Sequence, residues 1–145
     1  MSAGLDRFVD AQRDSYAAAL GELKAGTKRS HWMWFIFPQI AGLGRSETAR
    51  FYAIRDIAEA RAYLAHPLLG ARLVEATEAL LPHAGRGAEA ILGPIDAMKL
   101  ASSMTLFEAA ASDAARAQPF ARCLDTFFAG RRDVATLNRL QNATD

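Results

Sequence analysis

The chain has 145 residues, 51% of them apolar and 23% charged, with a net charge of +1. That length suits one domain and buries about two thirds of the surface exposed on unfolding, and the composition argues against wholesale disorder. A near-neutral charge argues against general nucleic-acid binding, which needs a basic excess to displace counterions from phosphates.

Leu5 to Ala25 reads as one helix. Leu5, Phe8, Tyr16, Ala19, Leu20 and Leu23 share one face, and Asp6, Arg7, Asp10, Arg13, Asp14 and Lys24 fall mostly on the other, a solvated face. Gly26 supplies a left-handed stop. The stretch from Thr27 to Gln39 is apolar and aromatic, and Pro38 ends it. Periodicity leaves one or two helical turns and a buried extended segment both open, with a minor strand around Trp34 to Phe37. After the Ala41–Gly44 turn, Ser46 caps a short helix through Ile54. Asp56 and Glu59 have capping-box spacing and open a helix to about Ala65.

His66-Pro67 breaks the chain, and Pro67 starts a helix to Leu81. Pro82 to Gly87 is a loop, Ala88 to Leu92 a short helical piece, and Ile95 to Ala111 a longer helix after Gly93-Pro94. Ser112 to Gln118 reads as a polar loop, Pro119 to Ala129 as a helix closed by Gly130, and Asp133 as the cap of a last helix to about Leu140. No hairpin signal or internal repeat appears. The expected fold is all-α: an irregular bundle of about six to eight short helices. Residues 1–145 form a single domain with frayed ends at 1–4 and 141–145.

No internal disulfide is possible with the single Cys123, which reads as a small buried core residue. The start of the chain lacks the basic and apolar pattern of a signal peptide. The longest strongly apolar run, Trp32 to Phe37, is too short to cross a bilayer. A cytoplasmic location without membrane partners is therefore expected. His31, His66 and His83 have no zinc-ligand spacing, so neither metal nor cofactor is expected.

Lys28 to Gln39 is the segment that departs most from ordinary core composition. It combines Trp32 and Trp34 with Lys28, Arg29, Ser30 and His31. One reading is an aromatic core plug with a basic lip. The other is a pocket wall, in which Trp32 or Trp34 stacks on a planar ring while Lys28 and Arg29 neutralise an attached phosphate or carboxylate. His31 is the candidate acid–base group. A second candidate is Lys99-Leu100-Ala101-Ser102-Ser103-Met104-Thr105, where a serine three or four positions after Lys99 can neighbour its ammonium. Hydroxyls bonded back to helix carbonyls are the alternative there. Gly42-Leu43-Gly44-Arg45-Ser46 is a weaker anion-binding candidate.

Several segments carry a family resemblance. Ser30-His31-Trp32-Met33-Trp34-Phe35-Ile36-Phe37-Pro38-Gln39 is the most specific, followed by Gly42-Leu43-Gly44. Tyr63-Leu64-x-His66-Pro67 and Asp96-x-x-Lys99-Leu100-x-Ser102-Ser103-Met104-Thr105-Leu106-Phe107 extend it. The chain resembles the domain-of-unknown-function 1810 family over nearly its whole length. The resemblance implies a small, mainly helical bacterial protein, with no activity to carry over. Its polar residues beside aromatics (Lys28, Ser30, His31, Lys99, Ser102, Ser103, Thr105) favour a ligand site where the two segments meet. A much fainter similarity, through Lys99, Met104, Phe107, Gly130 and Asp133, is to the NADAR family, which is associated with ADP-ribose and related glycosides.

Two functions follow as expectations. One is binding or processing of a small anionic, nucleotide-like metabolite, with hydrolysis of a glycosidic bond as the reaction to test and Glu59, Asp96 or Glu108 as nominal carboxylates. The other is a non-enzymatic structural or protein-interaction module. A homodimer fits either.

Overall fold

The computed structural model describes residues 3–143. Among these, ten α-helices are present: α1 (Asp6–Arg13), α2 (Tyr16–Ala25), α3 (Met33–Ile36), α4 (Glu47–Phe51), α5 (Ile57–Ala65), α6 (Leu69–Leu80), α7 (Ala88–Leu92), α8 (Pro94–Ala110), α9 (Ala114–Phe128) and α10 (Val134–Ala143). Short 3-10 turns cover Ala3–Leu5 and Leu81–Arg86. The all-α architecture stands as expected. Of the ends expected to fray, residues 1, 2, 144 and 145 lie outside the described residues, while Ala3, Gly4 and 141–143 lie in helical turns. No described helix is long and apolar enough to cross a membrane.

The helix count exceeds the expected six to eight because Leu5 to Ala25 divides at Asp14-Ser15 and the aromatic segment forms the short α3. Gln12 stands one turn after Phe8 on the buried face of α1. Its amide donates to the Phe35 carbonyl at 2.7 Å and to the Tyr63 hydroxyl at 3.1 Å, so a polar side chain is buried with its bonds made. Arg7 also leaves the expected solvated face. It pairs with Glu59 at 3.1 Å and donates to the Ala53 carbonyl at 2.7 Å, tying α1 to the start of α5.

Side-chain caps fall where expected at Ser46, Asp56 and Asp133. Ser46 accepts from the Ala49 N–H at 3.0 Å, Asp56 from Glu59 at 2.9 Å and Asp133 from Thr136 at 3.1 Å. Three boundaries differ from expectation. Leu69, not Pro67, opens α6, because the His66 imidazole accepts from the Leu68 and Leu69 N–H groups at 3.1 and 3.2 Å. Helix α9 begins within the expected loop, capped by Asp113 accepting from Arg116 at 2.8 Å, and so takes Pro119 inside. Helix α4 stops at Phe51, since Ile54 is extended and bonded to Gln39 and Ala41, each at 2.8 Å. That pairing is an isolated parallel bridge, Ile40 to Ile54. Of the two alternatives left open for the aromatic segment, the helical turn holds, as α3, and the strand alternative at Trp34 to Phe37 does not.

Helix α8 packs against α5, α7, α9 and α10, and α6 against α2, α5 and α9. One core runs through them, with Phe8, Trp32, Phe37, Tyr63, Phe107 and Phe120 among its largest side chains. Burying each such ring contributes about 2–3 kcal/mol. Cys123 is fully buried, as expected, and desolvation pushes its thiol up to about 12. Gly70 is required where α6 meets the end of α5: a Cβ there would land on the Leu64 carbonyl oxygen, inside contact distance.

Candidate functional site

The two candidate segments meet, and Asp96 joins them. The loop after α2 is pinned by the Lys28 N–H donating to the Ile91 carbonyl at 2.9 Å, which sets it beside the end of α7. Helix α8 starts two residues later at Pro94, and Asp96 stands in its first turn, where the helix dipole favours an acid. The Lys28 ammonium lies 2.9 Å from one Asp96 oxygen and the Lys99 ammonium 3.7 Å from the other. Side-chain exposures of 12% for Lys28, 18% for Asp96 and 24% for Lys99 place the group at the edge of the core, partly shielded from solvent. Each ammonium also lies over an indole: Lys28 at 5.1 Å from the Trp32 ring centre and Lys99 at 4.9 Å from that of Trp34. Two ammonium groups share this one carboxylate.

Glu22 holds the loop that carries Lys28. Its carboxylate accepts from the Arg29 N–H at 2.6 Å, the Ser30 N–H at 3.0 Å, the Ser30 hydroxyl at 2.5 Å and the Trp32 indole N–H at 2.9 Å. Partial burial alone would raise the Glu22 carboxyl, but these four bonds outweigh it and lower the group to about 2. Sequence reasoning assigned Glu22 no role. Its only signal is position, one turn before the Gly26 stop and so within reach of the returning loop.

The other candidate residues divide by face. Trp32 is buried, and Trp34 is half-buried. Arg29 and His31 are exposed, and the His31 ring has no hydrogen bond among the described residues. On α8, Asp96, Lys99 and Ser103 follow at i, i+3 and i+7 and share one face. Ser103 is fully buried, and its hydroxyl has no hydrogen-bond partner among the described residues. Ser102 and Thr105 serve α10 instead. The Ser102 hydroxyl donates to Asp133 at 3.0 Å, and Thr105 donates to the Ala101 carbonyl at 2.8 Å while accepting from the Asp133 N–H at 2.9 Å. Ser102 and Asp133 line a separate cleft of about 480 Å³ with Met98 and Phe128.

Two of the three nominal carboxylates have structural partners elsewhere: Glu59 with Arg7 and Arg55, and Glu108 with Arg132. Asp96 is the carboxylate at the junction. Met104 and Phe107 are core residues, Gly130 turns the chain at a φ of +74°, and Asp133 caps α10, so four of the five NADAR-like positions have structural roles. Among the described residues, no group of three or more His, Cys, Asp and Glu side chains could hold a metal ion.

The fold and the lysine–carboxylate–indole junction define a small all-α protein. Residues 2–140 match the family described as protein of unknown function (DUF1810), and the chain belongs to that family. It is similar to the conserved hypothetical protein Rv1873 from Mycobacterium tuberculosis, whose crystal structure is known. The two are 47% identical with a TM-score of 0.90, over 94% of this chain and 96% of that one. No curated protein matches the sequence.

Proposed function

We propose that the junction of the Lys28–Gln39 and Lys99–Thr105 segments binds a small anionic, ring-bearing metabolite of nucleotide-like chemistry. The observation that carries this reading is the convergence of Lys28 and Lys99, from segments far apart in sequence, on one partly shielded carboxylate. A structural ion pair needs one cation. The second supplies ammonium donors for charge-assisted bonds to a ligand phosphate or carboxylate. Half-buried Trp34 offers the ring contact, and exposed Arg29, next to Lys28 in the chain, adds a third cation. Should the protein act as an enzyme, glycosidic hydrolysis is the reaction to test, with Asp96 as carboxylate and exposed His31 as the acid–base group.

A second reading, a structural or protein-interaction module, is favoured by the burial of Trp32, Met33, Ile36 and Phe37 in the core. The experiment that separates them is a thermal-shift and tryptophan-fluorescence screen of the whole chain against nucleotides, ADP-ribose, NAD and inorganic phosphate. The expected result is a compound that raises Tm and changes indole emission in wild type but not in Lys28→Ala or Lys99→Ala. Folded wild-type protein that responds to nothing in the panel rejects the ligand reading in favour of the module.

A further inference from the structure

A cleft of about 700 Å³ opens on another part of the molecule, where α5, α6, the end of α8 and the start of α9 meet. Its volume falls within the range of about 300–1,000 Å³ typical of small-molecule sites. Ala110 at the end of α8, Ala71 on α6 and Ala115 on α9 line it with short side chains. Leu64, Val74 and buried Phe120 give it an apolar base. The polar character is one-sided. Arg61 and Arg116 line the cleft, and no acidic residue does. Arg116 is shared with exposed Asp113 at 3.6 Å, whereas Arg61 has no hydrogen bond or ion pair among the described residues.

We propose that this cleft binds a small amphiphile with a single carboxylate head and an unbranched alkyl body. The alkyl body would lie along Leu64, Val74 and Phe120, removing apolar surface from water on both partners. The head would sit at Arg61 and Arg116, whose planar guanidinium groups match a carboxylate in two-point bonding. A neutral ligand of the same shape leaves Arg61 without an anionic partner, and a short acid leaves the apolar base wet. The site therefore demands both features at once. It is independent of the lysine–tryptophan junction.

The test is isothermal titration of the whole chain with decanoate, decanol and butyrate, with folding of every variant checked by circular dichroism. Saturable decanoate binding is expected, with decanol and butyrate each at least about tenfold weaker. Arg61→Gln with Arg116→Gln should weaken decanoate by about tenfold or more without affecting decanol. Ala71→Trp fills the cleft from α6 and should abolish binding. Ala115→Trp fills it from α9 and serves if the first variant does not fold. Absence of saturable decanoate binding to folded wild-type protein overturns the proposal. So does equal affinity for decanol and decanoate, or binding undiminished in a folded tryptophan variant.

Discussion

Glu22 offers the sharpest test of how the candidate site is held in place. Its carboxylate is the common acceptor for two backbone N–H groups, one hydroxyl and the indole of Trp32, and it is lowered from 4.5 to about 2. At about 1.36 kcal/mol per pH unit the shift corresponds to roughly 3 kcal/mol in a fully shielded site. Solvent access to the carboxylate screens this to about 1–2 kcal/mol. Glu22→Gln keeps the shape and loses the charge, so it should cost about 1–2 kcal/mol. Glu22→Ala also leaves the buried Trp32 N–H without an acceptor, and should cost about 2–4 kcal/mol in total. The assay is urea unfolding followed by far-UV circular dichroism, which does not depend on the indole environment. Because the folded value lies below the unfolded one, the charge contributes fully above about pH 4.5 and is lost as pH falls toward about 2. The wild-type advantage over Glu22→Gln should therefore shrink across that window. Equal stability of the two at pH 7, or a gap that stays constant down to pH 2, would refute the argument. Loss of the Glu22 anchor also frees the loop of Lys28, so Glu22→Ala should weaken any ligand that depends on Lys28.

Gly70→Ala should lower stability by about 1–3 kcal/mol, read as a lower urea midpoint, because a methyl group there overlaps the Leu64 carbonyl; a wild-type midpoint would show that α5 and α6 can separate freely. Cys123, buried and with its thiol near 12, should resist thiol reagents at pH 8 in the native protein and react only as urea opens the core. Labelling of the native protein at the rate of a free cysteine would mean that α9 opens locally.

Much of the helical punctuation was legible because it is local. Ser46, Asp56 and Asp133 cap neighbouring N–H groups three residues away, and Gly26 and Gly130 take positive φ where helices end. Where two local signals competed, the reading failed. Pro119 looked like a helix start, but Asp113 caps an earlier one and the helix absorbs the proline. Long-range bonds were not legible at all. Gln12 belongs to the core because it meets the Phe35 carbonyl and Tyr63, and Arg7 because it meets Glu59.

The candidate site divides along the same line. The unusual composition of Lys28 to Gln39 and the spacing of Asp96, Lys99 and Ser103 on one helical face are properties of the chain itself, because they depend on residues a few positions apart. So are the all-α class and the family resemblance. The meeting of Lys28 with Asp96, the anchoring of the loop by Glu22, the turning of Ser102 and Thr105 toward Asp133, and the cleft between α6 and α9 were decided only by the tertiary structure. A helix periodicity tells which residues share a face. Which face meets which is set by how side chains of the whole core fill space together, and no short window of sequence contains that information.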